Sequence, residues 1–122
     1  MKQLILVIED QEDNRRIMRD LLASAGYEII EAVTGEDGVD AAETHRPDLI
    51  LMDIQLPDFD GYEATRRIKS NPELQAIPII AVTSYALSGD DVKALEAGCD
   101  AYVSKPFSPR ALLAKIQEII NR

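Results

Sequence analysis

Short apolar runs alternate along the chain with segments that have helical periodicity. The runs are a few residues long and mostly aliphatic, at Leu4–Ile8, Ile29–Ile30, Leu49–Met52, Ile77–Val82 and Tyr102–Val103. Runs of this length and composition are typical of strands buried on both faces of a parallel sheet. The pattern therefore predicts five short strands.

Helix start and stop signals occupy the stretches between these runs. The first stretch has an apolar face made of Ile17, Met18, Leu21, Leu22 and Ala25, and it ends at Gly26. Capping pairs three residues apart open the next three helices, at Thr34/Asp37, Asp60/Glu63 and Ser88/Asp91. Pro47, Pro72 and Gly98 follow as stop signals. Ser108-Pro109 opens a fifth helix, whose apolar residues are Leu112, Leu113, Ile116, Ile119 and Ile120.

Five repeats of strand followed by helix predict an α/β fold of (βα)5 type. Such alternation gives a parallel sheet with right-handed crossovers, and a doubly wound sheet carries helices on both faces. We expect the strand order 2-1-3-4-5. Sheets of this kind bind ligands at the carboxyl ends of their strands, near the point where the strand order reverses.

Size and composition narrow the class of protein. The 122 residues match one domain, and a hydrophobic content of 46% argues against disorder. No apolar run approaches the about 20 residues of a membrane helix, and we expect no signal peptide. The single Cys99 fits a reducing cytoplasm, and one histidine, His45, makes a zinc site improbable. The net charge of −9 argues against direct nucleic-acid binding.

Polar residues follow four of the five predicted strands. They are Glu9 and Asp10 after the first strand, Asp53 after the third, Thr83 and Ser84 after the fourth, and Ser104 and Lys105 after the fifth. Only the second strand ends in apolar residues, Ala32 and Val33. In the expected order this strand lies outside the first strand, away from the crevice.

Each of these polar residues has an ordinary structural explanation when it is taken alone. Asp10 could cap a turn or the first helix, Asp53 could be a turn residue, and Lys105 could be a solvated loop lysine. The combination of three acids, a hydroxyl and a lysine at one sheet edge favours a functional site instead.

The chemistry of these side chains indicates a site for Mg²⁺ and phosphate. Crowded carboxylates repel unless a cation joins them, and a set of oxygen ligands suits Mg²⁺ best. A carboxylate such as Asp53 is also a competent nucleophile toward phosphorus. In this interpretation Lys105 neutralises phosphoryl charge, and Thr83 donates a hydrogen bond to a phosphoryl oxygen.

At four places the sequence resembles the receiver domains of bacterial two-component response regulators. The segments are VIEDQEDN at 7–14, ILMDIQLPDFDGYE at 50–63, AVTSYA at 81–86 and AGCDAYVSKPF at 97–107. The resemblance covers essentially the whole chain, and it implies the flavodoxin-like form of the doubly wound fold. It also implies that residues 1–122 form one receiver domain with no output domain.

The resemblance implies a role for each candidate residue around the predicted acceptor. Asp53 is expected to accept the phosphoryl group. Glu9, Asp10 and Asp53 would ligate Mg²⁺ together with the backbone carbonyl of Gln55.

The remaining candidates lie on the fourth and fifth strands and the loops after them. Thr83 and Lys105 would contact the phosphoryl group, and a cis peptide before Pro106 would aim the lysine. Tyr102 would be an aromatic switch that turns inward when Thr83 moves.

The resemblance also implies partners. A sensor histidine kinase or a histidine phosphotransfer protein would supply the phosphoryl group. A protein target would read the face made by the fourth helix, the fifth strand and the fifth helix. The chain would act as a monomer or weak homodimer, and as a signalling protein that catalyses its own phosphorylation and dephosphorylation rather than as an enzyme.

Three other functions are consistent with parts of the pattern. A phosphohydrolase of the haloacid-dehalogenase type also uses a nucleophilic Asp and Mg²⁺, but it has a second Asp where Gln55 stands here. A flavodoxin-like flavin carrier needs a phosphate-binding first loop, which Glu9, Asp10 and the acids after them would repel. A receiver fold could also act unphosphorylated, purely as an interaction module.

Overall fold

The computed structural model describes residues 2–56, 61–83, 90–104 and 108–121, and for residues 83, 90–92 and 94 the backbone alone. The strands are β1 (Leu4–Ile8), β2 (Glu28–Ala32), β3 (Leu49–Asp53), β4 (Ile79–Thr83) and β5 (Ala101–Ser104). The helices are α1 (Glu12–Ser24), α2 (Gly35–His45), α3 (Gly61–Ser70), α4 (Asp90–Ala97) and α5 (Pro109–Ile120). Strands and helices alternate strictly, as the sequence pattern predicts.

The five strands form one parallel sheet in the order β2-β1-β3-β4-β5. The predicted fold class is therefore confirmed. The chain runs from β1 outward to β2, and then crosses back to β3 on the other side of β1. The strand order thus reverses between β1 and β3, which is where an open parallel sheet leaves a crevice at the carboxyl ends of its strands.

Alternating residues of the strands build a separate core on each face of the sheet. Along β3, Ile50 and Met52 point to a cluster that includes Ala42 of α2 and Ile68 of α3. The other face includes, on β3, Leu49 and Leu51, and on α1 and α5, Met18, Leu22, Leu112, Ile116 and Ile119. Every residue of β3 is buried, because helices cover both faces of this central strand.

The prediction of strands buried on both faces is wrong for β5, whose residues are all only partly buried, and for β2. Ile29 and Ile30 of β2 are only partly buried, and Glu28 and Glu31 are exposed. The reason is position, since β2 lies at an edge of the sheet and has one neighbouring strand. The predicted apolar face of α1 is also narrower than expected, because Ile17 is 51% exposed.

Side-chain caps begin two of the helices as the sequence predicts. The Thr34 hydroxyl accepts a hydrogen bond from the Asp37 N–H at 3.0 Å, and Ser108 accepts one from the Ala111 N–H at 3.4 Å. Asp60 and Ser88, the predicted caps of α3 and α4, lie outside the described residues. None of the helices in the described ranges is long and apolar enough to cross a membrane.

Cys99 is buried beside α3 and is the chain's single thiol. Its Sγ atom lies 3.6 Å from the Thr65 hydroxyl, and burial raises the pKa of the thiol above its ordinary value. Only the thiolate reacts readily with alkylating reagents. We therefore expect folded protein to resist iodoacetamide at pH 7 and urea-unfolded protein to react fully, as mass spectrometry would measure. Rapid alkylation of folded protein would contradict this structural role.

Candidate functional site

Two neighbouring strands bring three carboxylates to the crevice. Asp53 is the last residue of β3 and only 3% exposed, and Glu9 follows β1 directly and is fully buried. Since Ile8 of β1 pairs with Met52 of β3, Glu9 and Asp53 stand at the same level of the sheet. Asp10 adds a third, partly buried carboxylate, and oxygens of all three acids lie within 4.8 Å of one another. The structure thus brings together three of the residues that the sequence singles out.

Backbone hydrogen bonds continue the sheet just past the strand ends. The Glu9 N–H donates to the Ala32 carbonyl at 3.0 Å, and the Ile54 N–H donates to the Val82 carbonyl at 3.1 Å. The acids are therefore attached to the rigid end of a sheet rather than to long loops. Rigid supports of this kind hold a charged site in one geometry before a ligand arrives.

Short turns orient two of the three carboxylates. The Gln55 N–H donates to Asp53 Oδ1 at 3.1 Å, and the Gln11 N–H donates to Glu9 Oε2 at 3.2 Å. Each bond joins a side chain to the backbone two residues later, which is the arrangement of a local turn. These contacts limit how the Asp53 and Glu9 carboxylates can rotate.

The set of oxygen ligands fits a hard divalent cation. The three acids offer oxygen atoms and neither nitrogen nor sulfur, which favours Mg²⁺ over zinc or copper. Within the part of the chain that the structure describes, three acidic side chains converge, and this number suits Mg²⁺, which normally retains several waters. The residues present therefore fit the predicted cofactor.

The other candidate residues are placed only in part. Thr83 ends β4 and pairs with Ser104, the last residue of β5, so both strands end at the edge that carries the acids. Tyr102 is half-buried on β5 and packs against the core cluster shared with α2 and α3. Lys105 and Pro106 lie outside the described residues. The roles expected for Thr83, Tyr102, Lys105, Pro106 and Gln55, like those of the three acids, stay predictions.

Two residues with no predicted role adjoin the acids. Arg15 of α1 donates hydrogen bonds to the backbone carbonyls of Glu9 and Asp10. Gly61 begins α3 so close to Asp53 that an added Cβ atom would lie 2.5 Å from the Asp53 carbonyl oxygen. A glycine at a predicted helix start, directly after the acidic Asp60 in the sequence, is a signal from which a close approach at Gly61 could have been predicted. Arg15 had no such signal, because its contact depends on the turn between β1 and α1.

The fold and the acidic crevice match a known class of signalling protein. The family model of the response regulator receiver domain matches residues 5–117. The chain therefore belongs to the family of response regulator receiver domains, which serve two-component signalling. Members of this family bind Mg²⁺ at an acidic site and catalyse their own phosphorylation and dephosphorylation.

Individual relatives agree with this assignment. The chain is 43% identical over 121 residues to the polar-differentiation response regulator DivK of Brucella anthropi, covering 99% of this chain and 98% of the relative. Among solved structures, the receiver domain of the sensor histidine kinase PA1611 from Pseudomonas aeruginosa is 39% identical with a TM-score of 0.94, each chain being covered fully. That structure has a magnesium ion coordinated in its active-site cleft.

A third similar protein is known as a solved structure. The CheY-like receiver domain protein of Methanospirillum hungatei is 35% identical with a TM-score of 0.90, covering 99% of this chain and 95% of the other. The family match decides against the phosphohydrolase and the flavin carrier that parts of the sequence pattern allowed.

Proposed function

We propose that residues 1–122 act as a response regulator receiver that accepts a phosphoryl group on Asp53. One observation carries the proposal. A buried aspartate ends the central strand, and its carboxylate lies within 4.8 Å of two further acids at the reversal of the strand order. Two buried acids and a partly buried third one at such short range destabilise a protein that binds no cation there, since close carboxylates repel. A cation-dependent site for a phosphoryl group accounts for their position.

The proposed transfer begins when a phosphohistidine of a partner enters the crevice. A carboxylate oxygen of Asp53 attacks phosphorus, the O–P bond forms, and the P–N bond to the imidazole breaks. The imidazole leaves with the electron pair. Glu9, Asp10, Asp53 and the backbone carbonyl of Gln55 would hold Mg²⁺. The bound ion would supply positive charge that stabilises the phosphoryl oxygens during the transfer.

The chain's own residues prepare the nucleophile. The Gln55 N–H fixes one Asp53 oxygen, and the β3–β4 ladder fixes the Asp53 backbone, which pairs with Val82. Attack then needs little reorganisation of the protein, because the acceptor already has its orientation. Hydrolysis returns Asp53 to its unphosphorylated form: water attacks phosphorus, Asp53 leaves as a carboxylate, and inorganic phosphate is released.

The proposed output is a shift in the populations of two conformations of the receiver rather than a new activity. Thr83 and Lys105 would contact the phosphoryl group, with the lysine aimed by a cis peptide at Pro106. Tyr102 would then reorient on β5 and change the face made by α4, β5 and α5. Support comes from the packing of α4 against α3 and β5, which joins this face to the sheet. A protein target that prefers one state of this face would receive the signal.

The proposed donor is a sensor histidine kinase or a histidine phosphotransfer protein. The support is family membership together with the likeness to the regulator DivK and to the receiver domain of a sensor kinase. The net charge of −9 is consistent with a protein partner rather than a direct DNA contact.

Intact mass spectrometry tests the acceptor chemistry directly. Purified protein would be incubated with Mg²⁺ and acetyl phosphate, and Asp53→Asn and an EDTA-treated sample would be the controls. We expect one added phosphoryl group on the native chain and none in either control, because both the nucleophile and the cation are required. The conversion of Asp53 to Asn is nearly isosteric, so circular dichroism should show an intact fold.

A phosphoryl adduct of equal yield on Asp53→Asn would show that another residue is the acceptor. Folded native protein that binds no Mg²⁺ and forms no adduct, even with phosphorylated kinase as the donor, would refute the proposed function. That result would favour an unphosphorylated interaction module.

A further inference from the structure

Arg15 holds the backbone of the acidic loop from the side of α1. Its Nη1 atom donates to the carbonyl oxygen of Glu9 at 3.0 Å and to that of Asp10 at 3.0 Å. One nitrogen atom therefore bridges two successive peptide carbonyls. These carbonyls belong to the two residues whose side chains, with Asp53, form the acidic group.

A second contact fixes the arginine itself. Arg15 Nε lies 3.5 Å from a carboxylate oxygen of Glu31 on β2, and the Arg15 side chain is only 17% exposed. Glu31 is held in turn by Arg19, whose Nη1 atom donates to both Glu31 oxygens at 3.1 and 3.0 Å. The guanidinium thus links the acidic loop to the edge strand of the sheet. Its planar shape allows it to make both contacts with one fixed orientation.

We propose that Arg15 is a positioning residue for the Mg²⁺ site, acting through the backbone of Glu9 and Asp10. The proposal rests on the Mg²⁺ site of the proposed function and assigns a role to a residue that is not a ligand. By holding two successive carbonyls, Arg15 sets the peptide planes from which the Glu9 and Asp10 side chains project. Partners of this kind, one step behind the ligands, commonly determine how well a metal site is formed.

The charge of Arg15 and its hydrogen bonds to the loop predict opposite changes in Mg²⁺ affinity when the residue is removed. Arg15 carries a positive charge beside a site for a divalent cation, so its charge alone disfavours Mg²⁺. If charge were its main effect, removal of Arg15 would tighten Mg²⁺ binding. If positioning is its main effect, removal weakens binding in spite of the lost repulsion. The direction of the change therefore separates the two explanations.

The experiment measures Mg²⁺ affinity by isothermal titration calorimetry on four proteins: the native chain, Arg15→Met, Arg15→Lys and Arg19→Met. Methionine retains the apolar stem but donates no hydrogen bond. Lysine retains the charge but cannot reproduce the planar contacts. Arg19→Met is the matched control, because Arg19 binds the same Glu31 carboxylate on the same helix and no hydrogen bond to the loop carbonyls is found for it.

We expect Arg15→Met to weaken Mg²⁺ binding about tenfold, within the range known for such supporting residues. Arg15→Lys should also weaken binding, although it retains the charge, and Arg19→Met should change it less than about twofold. Thermal denaturation in EDTA provides the check on folding. If Arg15→Met proves unfolded there, Arg15→Lys decides the question.

Equal affinities for Arg15→Met and Arg19→Met, or tighter binding by Arg15→Met, would overturn the inference and leave the proposed function intact. Folded native protein without measurable Mg²⁺ binding would instead leave no metal site for Arg15 to position, and together with the absence of a phosphoryl adduct it would refute the proposed function. The titrations and the phosphorylation assay together therefore distinguish the two failures.

Discussion

Asp10→Asn is expected to abolish most of the stabilisation that Mg²⁺ gives this protein and to stabilise the metal-free form. Three carboxylates within 4.8 Å of one another repel in the absence of a cation. At an effective dielectric constant near 20, two unit charges at this separation interact by about 3 kcal/mol. Asp10 is partly exposed, so solvent reduces the effect to about 1 kcal/mol.

In the presence of Mg²⁺, Asp10→Asn should lower the stability of the protein instead of raising it. The native chain should gain stability with Mg²⁺, because a ligand that binds only the folded state stabilises it by mass action. Asp10→Asn removes a charged group that we propose as a ligand, and it should weaken Mg²⁺ binding by more than about 100-fold, beyond the range for residues that only support ligands. The native chain should therefore unfold at lower temperature than the variant in EDTA, and at higher temperature in excess Mg²⁺.

Thermal denaturation followed by circular dichroism, with and without Mg²⁺, measures both effects. Asp40→Asn is the matched control, since it makes the same change of charge at an exposed position on α2. This control should respond to Mg²⁺ as the native chain does. Equal Mg²⁺ responses in Asp10→Asn and Asp40→Asn would show that Asp10 is not a ligand.

Gly61→Ala is expected to destabilise the fold by about 2 kcal/mol and to impair phosphoryl transfer in the protein that still folds. A Cβ atom at this position would lie 2.5 Å from the Asp53 carbonyl oxygen and 2.8 Å from the Ile54 Cα. Both contacts are with backbone, so no side chain can move aside. The higher helix propensity of alanine contributes at most about 1 kcal/mol, less than the cost of overpacking. Relief of the clash must displace Asp53 or α3.

Gly38→Ala is the matched control, because Gly38 is also a buried helical glycine that contacts the sheet. Its Cβ atom would meet the Ile8 side chain, with Cγ1 at 2.8 Å and Cδ1 still closer. We expect a loss of about 1 kcal/mol and normal phosphorylation. Ile8→Val removes Cδ1, so in the double variant part of the Gly38→Ala cost should disappear. No trimmed side chain can relieve Gly61→Ala in this way.

Urea denaturation gives the free energies of unfolding for these variants, and intact mass spectrometry with acetyl phosphate gives the acceptor chemistry. Gly61→Ala that is as stable as the native chain would contradict the close contact with Asp53. Gly61→Ala that is destabilised but fully phosphorylated would show that the backbone shift spares the nucleophile.

Hydrophobic periodicity was enough to predict the fold. Leu4–Ile8 and Leu49–Met52 are short apolar runs separated by helical segments, and this alternation leaves a parallel doubly wound sheet as the solution. The position of Asp53 directly after an apolar run also indicated a buried acid at a strand end. These features are local, because strand and helix periods and the residues that follow them are written consecutively in the chain.

The degree of burial in the edge strand β2 and on α1 could not be predicted from hydrophobic periodicity. Ile29, Ile30 and Ile17 look like core residues in the sequence, but β2 has one neighbouring strand and α1 covers only part of the sheet. The exposure of a residue depends on what lies opposite it. That information is not contained in the pattern of one segment.

The same distinction applies to the site, where the residue types follow from the sequence and their arrangement follows from the tertiary structure. The chain's own pattern specified which residue types follow each strand, and so it was sufficient to nominate Glu9, Asp10 and Asp53. Tertiary folding alone set their mutual distance, because the register of β1 against β3 aligns Glu9 with Asp53. Tertiary folding also places Arg15 and Gly61 beside the acids. Arg15 contacts the backbone carbonyls of Glu9 and Asp10, and Gly61 lies against the backbone carbonyl of Asp53. Backbone atoms are the same in every residue, so no sequence pattern marks which of them a distant side chain will meet.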